Sequence, residues 1–213
     1  MRYIIFTFCF ICAASFATPI DVRVLDNKGD PVKDTVVYIT ATNLPRDEPL
    51  ESKTLVTEVA QDGRAFKPYV SVARVNQTVL FTNKDDFSHH IYSITGPVEL
   101  SFIIRAQDHE VKKSFPTEGV VAMGCNIHDW MSGYIKVIDT PYYAITDSSG
   151  MGQIHVPVGL ENADIIAWHP QMNESVEQKL DQQTTVTFEL QNDMSPIPKQ
   201  KSTQAISFYG LSK

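Results

Sequence analysis

The chain has 213 residues, 43% of them hydrophobic, and a formal net charge of -7 from 18 basic and 25 acidic side chains. That length suits one full β domain with a small companion, or one decorated domain. The acidic balance argues against nucleic acid or an anionic membrane surface as partner. Residues 1–17 have a secretory pattern: Met1-Arg2 is a positive start, residues 3–14 are an apolar run, and Ser15-Phe16-Ala17 places small residues where signal peptidase inspects them. Cleavage is expected after Ala17, with export to the periplasm. The apolar run is too short for a strong spanning helix and no later stretch is longer, so no membrane span is expected in the mature form.

After this leader almost every segment has the pattern of a strand. Residues 20–25 alternate at first, residues 26–31 are a dense turn cluster, and residues 35–40 are a β-branched run predicted as a second strand. Residues 43–51 carry two prolines and are predicted as a loop, and residues 55–59 as a third strand. A second block runs from Phe66. Asn76-Gln77 marks a turn, residues 78–81 a strand, residues 83–86 a break, and residues 89–94 a resumed strand. Residues 100–104 and 111–115 are further strands; residues 119–123 lead into a cysteine-bearing loop and residues 133–138 lead out of it. A third block places strands at residues 142–146, 154–157, 163–168 and 184–190. From Gln191 the chain is polar and is expected to be loosely ordered. No segment keeps a 3.6-residue period, so the fold class is all-β, a sandwich or barrel. The expected organisation is a signal peptide (1–17), an N-terminal β segment (18–60), a central domain (61–139), a C-terminal β-sandwich segment (140–191) and a polar tail (192–213).

Of the three cysteines, Cys9 and Cys12 leave with the leader, so the mature chain keeps Cys125 alone. A lone thiol in an oxidising compartment is buried and inert, held by a metal, or used in chemistry. Its neighbours decide. Cys125, His128 and Met131 stand three residues apart in the run Gly124-Cys125-Asn126-Ile127-His128-Asp129-Trp130-Met131-Ser132-Gly133. One loop can turn all three side chains toward a single point. Thiolate and imidazole with a weak axial thioether suit an electron-transfer copper ion, which needs a second imidazole. His89-His90 offers one, and because adjacent strand residues point to opposite faces, only one of the pair would face the metal. The other histidines have plainer readings: His109 a solvated turn, His155 packing or surface, His169 a strand end beside an aromatic. With six histidines and no His-x-His pair, the chain lacks the ligands of a multicopper oxidase or nitrite reductase.

The pattern Phe66-x-Pro68, Val79-x-Phe81-x-Asn83-x-Asp85-x-x-x-His89-x-Ile91 and Cys125-x-x-His128-x-x-Met131-x-Gly133-Tyr134 resembles the small blue-copper proteins, the plastocyanin, pseudoazurin and amicyanin group of cupredoxin fold. The short spacing from cysteine to methionine is nearest amicyanin and pseudoazurin. The same residues, with His90-Ile91-Tyr92-Ser93, are also similar to longer exported plastocyanin-like proteins of the methylamine utilization type. The resemblance covers about residues 66–139. It implies a Greek-key β-sandwich over the central domain and one copper ion held by His89, Cys125, His128 and Met131. Asn83 and His90 would stand behind the ligands, and His128 would be the electron-exit edge. Met123 stands where the family usually has an aromatic, and Asn126-Ile127 where it usually has Thr-Pro. The flanking strands resemble, more weakly, a small transthyretin-like or carboxypeptidase-regulatory-like sandwich. The expectation is therefore a periplasmic type 1 copper protein, not an enzyme, carrying single electrons to or from a basic redox partner. Two alternatives use the same chain differently: a copper-delivery protein without a redox circuit, and a partner-binding β-sandwich with a vestigial metal site.

Overall fold

The computed structural model describes residues 18–45, 56–106, 108 and 110–191. The expected leader, the polar tail and His109 lie outside them. The described residues form strands and no helix. The first are β1 (Thr18–Leu25), β2 (Val36–Thr40), β3 (Thr57–Gln61), β4 (Phe66–Lys67), β5 (Val70–Arg74) and β6 (Val79–Asn83). Then come β7 (His89–Ser93), β8 (Leu100–Ile104), β9 (Val111–Lys113), β10 (Gly119–Cys125) and β11 (Ser132–Ile138). The last are β12 (Tyr143–Ile145), β13 (Met151–Val156), β14 (Asp164–Trp168), β15 (Val176–Lys179) and β16 (Thr185–Glu189).

These strands build four sheets that pair into two sandwiches. The central sandwich has a five-stranded sheet in the order β5-β11-β10-β7-β8 and a four-stranded sheet in the order β4-β3-β6-β9. β3 belongs here because it runs parallel to β6, with Val59 opposite Phe81. Phe66, Phe81, Ile91, Ile104, Phe115 and Ile135 fill the space between the two sheets. The other sandwich unites both ends of the chain, with sheets β13-β1-β16 and β12-β2-β14-β15. β1 shows why it forms: Ile20, Val22 and Val24 point into the core while Asp21 and Arg23 face water, the period of two that a half-buried strand requires. The expected all-β class thus holds, and the flanks form a second sandwich together.

The two sandwiches touch face to face. β2 shows both sides of the arrangement: Val37 and Ile39 enter the flanking core, while Val36 and Tyr38 join Val70, Val72, Ile138 and Trp168 in a third cluster between the sandwiches. Burial on both faces accounts for the unbroken apolar run in β2, which carries none of the polar alternation of β1. The Lys136 ammonium lies 5.5 Å from the ring centres of both Tyr38 and Trp168, closing the junction with cation–π contacts. The β5–β11 half of the five-stranded sheet is therefore covered, and the β10-β7-β8 half carries the candidate site.

Candidate metal centre

β7 and β10 are adjacent antiparallel strands, with Cys125 opposite Ile91. β7 alternates, so His89, Ile91 and Ser93 are buried while His90 and Tyr92 take the other face. This puts the His89 ring beside the last residue of β10, Cys125. The loop that follows turns back tightly: the Asn126 N–H donates to the His90 carbonyl at 3.0 Å, and the Met131 N–H to the His128 carbonyl at 2.9 Å. Gly133, at the start of the return strand, lets Phe66 pack against it. A Cβ there would lie 2.8 Å from the Phe66 Cβ. Gly133→Ala is expected to destabilise the protein by about 1–3 kcal/mol through overpacking, which urea unfolding would measure.

Three side chains converge at this end of the sandwich. Cys125 Sγ lies 3.7 Å from His89 Nδ1 and 3.7 Å from His128 Nδ1, and the three ligand atoms lie within 4.8 Å of one another. Among the described residues this is the group of His, Cys and carboxylate side chains able to hold a metal ion. His89 is fully buried, Cys125 is 3% exposed and His128 is half-buried. Met131 is 1% exposed and packs in the same core cluster as Cys125 and Met123. Aromatic rings surround the group: Phe87 is 5.1 Å from the His89 ring centre and 5.4 Å from that of His128, and Trp130 is 5.2 Å from that of His128.

Burial alone would push the Cys125 thiol up, but its contact with His89 and backbone hydrogen bonds from Ile127, His90 and His128 hold it below the ordinary thiol range. Burial would likewise lower His89, yet Cys125 and Asp85 beside it raise it. His128 is lowered by burial and then by the nearby His89 and Arg64. The donor set is thus one thiolate-prone sulfur and two imidazoles, each presenting Nδ1.

The pair behind the ligands divides differently. Asn83 Nδ2 donates to the Phe87 carbonyl at 2.7 Å and its Oδ1 accepts the Asp85 N–H at 3.0 Å, so it ties the β6–β7 turn. His90 points away from the cluster. Its Nδ1 accepts from Asn126 Nδ2 at 2.8 Å and its Nε2 meets Ser101 Oγ at 3.1 Å, clasping the cysteine loop to β7 and β8. Asp85, absent from the expected set, lies with Oδ2 2.9 Å from His89 Nε2. The sequence carries it in the Asn83-x-Asp85-x-x-x-His89 pattern, four residues before His89, where the resemblance assigns it no role at the metal. His155 is exposed on β13, and His169 is buried at the end of β14, remote in the fold from the metal group.

No family model matches the sequence, and no curated protein matches it. Among solved structures, a reduced amicyanin variant is similar over 47% of this chain and 99% of its own, at 15% identity and a TM-score of 0.35. A purple cupredoxin from Nitrosopumilus maritimus is similar over 38% of this chain and 99% of its own, at 21% identity and a TM-score of 0.35. A copper-containing nitrite reductase from Thermus scotoductus is similar over 54% of this chain, which spans only 28% of that enzyme, at 23% identity and a TM-score of 0.37.

Proposed function

We propose that this chain is an exported type 1 copper protein of cupredoxin kind, which carries single electrons in the periplasm. The observation that carries this reading is the convergence of His89 Nδ1, Cys125 Sγ and His128 Nδ1 within 4.8 Å. That donor set fits copper: a thiolate and two imidazoles, with the Met131 thioether as a weak fourth donor, serve both Cu(I) and Cu(II). Copper bound there supplies a one-electron couple.

The protein's own residues do the rest. Cys125 and His89 are held by adjacent strands of one sheet, so the donors keep their places whichever oxidation state is present. Burial of both excludes water and protects the thiol from oxidation. The slight exposure of Cys125, 3%, also supports electron transfer over bond chemistry at the sulfur. His128 is the less buried imidazole, and Ile127 beside it is 57% exposed, so this corner offers an apolar approach for a redox partner. The acidic net charge of -7 favours a basic one.

Stoichiometric Cu(II) titration of the metal-free protein is expected to give one intense visible thiolate-to-copper band. The band should bleach on reduction and return on reoxidation. A wild type that takes up Cu(II) without such a band would sink the electron-transfer reading. A band that bleaches irreversibly, with copper passing to a chelator, would favour copper delivery.

A further inference from the structure

Asp85 joins three segments at the back of His89. Its Oδ1 accepts the Gly63 N–H at 2.7 Å, and its Oδ2 accepts the Arg64 N–H at 3.1 Å and meets His89 Nε2 at 2.9 Å. Gly63 and Arg64 have φ of 65° and 60°, which turns their successive N–H groups toward one point and makes an anion nest for the carboxylate. The Asp85 backbone is held as well, by Asn83 Oδ1 at 3.0 Å. A carboxylate already taking two backbone donors accepts from His89, so the proton sits on Nε2. The Nδ1 facing Cys125 Sγ at 3.7 Å then keeps its lone pair. Little water screens this contact, because the side chains of His89 and Asp85 are 0% and 10% exposed. The same turn roofs the site: the Arg64 guanidinium lies 5.5 Å over the Phe87 ring, which in turn packs on both histidines.

We infer that Asp85 is a positioning residue: seated in the Gly63–Arg64 nest, it fixes the His89 tautomer and feeds negative charge through the imidazole to the metal centre, favouring Cu(II) over Cu(I). The inference rests on the copper reading. A hydrogen-bonded carboxylate makes a ligand imidazole more basic, and the more positive ion gains more from a better donor.

The test is Asp85→Asn, which keeps the size and removes the charge. Its Cu(II) dissociation constant is expected to rise about 10–100-fold, with Cu(I) affinity, measured by chelator competition, nearly unchanged. That ratio corresponds to a reduction potential higher by about 60–120 mV, at about 59 mV per tenfold for one electron. Asp85→Glu should restore part of the shift. Equal potentials in wild type and D85N, with normal copper uptake, overturn the inference and leave the copper reading standing. A wild type that takes up no copper overturns both. Should D85N fail to fold, imidazole ¹⁵N shifts of the metal-free wild type, recorded at alkaline pH where the ring is neutral, decide the matter. The Nε2–H tautomer at His89 supports the inference, and the Nδ1–H tautomer overturns it.

Discussion

Cys125→Ser is expected to remove the visible charge-transfer band from the copper-loaded protein entirely and to weaken Cu(II) binding by orders of magnitude. A serine hydroxyl fills nearly the same space but does not ionise near neutral pH, so it offers neither the anionic donor nor the sulfur orbital behind the band. The sulfur is the common neighbour of both imidazoles, at 3.7 Å from each Nδ1. Removing it leaves two neutral nitrogens and a thioether. The site is 3% exposed at Cys125, so the loss cannot be made good by a nearby water without repacking. His155→Ala is the control: His155 is exposed on β13 in the other sandwich and should leave the spectrum untouched. Absorption and electron paramagnetic resonance after Cu(II) addition would check both variants. A C125S protein that keeps the band would exclude the thiolate as donor.

The second large effect concerns acid stability. His169 is fully buried at 0% relative accessibility, Nδ1 accepts the Gln171 N–H at 3.2 Å, and Nε2 lies near the Lys33 backbone without a well-formed hydrogen bond. Burial pushes its pKa down from 6.5 to about 4, and the nearby Lys33 backbone offsets only part of that. The sign follows directly. Between about pH 6.5 and pH 4 the unfolded chain binds a proton at this ring and the folded chain does not, so stability is full above that window and falls as the pH drops through it. At about 1.4 kcal/mol per pH unit the loss is roughly 3 kcal/mol. In the metal-free protein His128, also lowered, pulls the same way and His89, raised, pulls the other way. A comparison with His169→Gln isolates the ring. Denaturant unfolding of metal-free wild type and H169Q at about pH 7 and pH 4 should show the wild type losing roughly 3 kcal/mol more. Parallel losses would refute the assignment.

Much of this architecture was legible in residue patterns, and the exceptions have physical causes. β1 and β16 declare themselves by clean alternation, and the loop holding Cys125, His128 and Met131 declares itself by spacing. β15 did not: Val176-Glu177-Gln178-Lys179 is a sheet-edge strand paired only to β14, and it has too little buried surface to leave a hydrophobic signature. Strand pairing between the chain ends was equally hidden, because Asp21 and Gln153 meet across 132 residues and only three-dimensional closure selects that register. At the site, the strand period set His89 and His90 on opposite faces, and the resemblance chose His89 as the inward one. Asp85 stood in the resemblance pattern but its role stayed hidden, because its partners, the Gly63 and Arg64 N–H groups, are backbone donors in a left-handed turn that no side-chain pattern announces.

The discontinuity of the flanking sandwich has a consequence for biogenesis. Every strand of the central sandwich falls between residues 57 and 138, whereas β1 and β2 must wait for β12 to β16. In a chain delivered from its N-terminus, β1 therefore emerges first and pairs last, with its backbone edges open until the final strands arrive. The candidate metal group of His89, Cys125 and His128 comes from that stretch and can assemble before this happens. The late arrival of β16 beside β1 would then act as the latch on an already assembled interior.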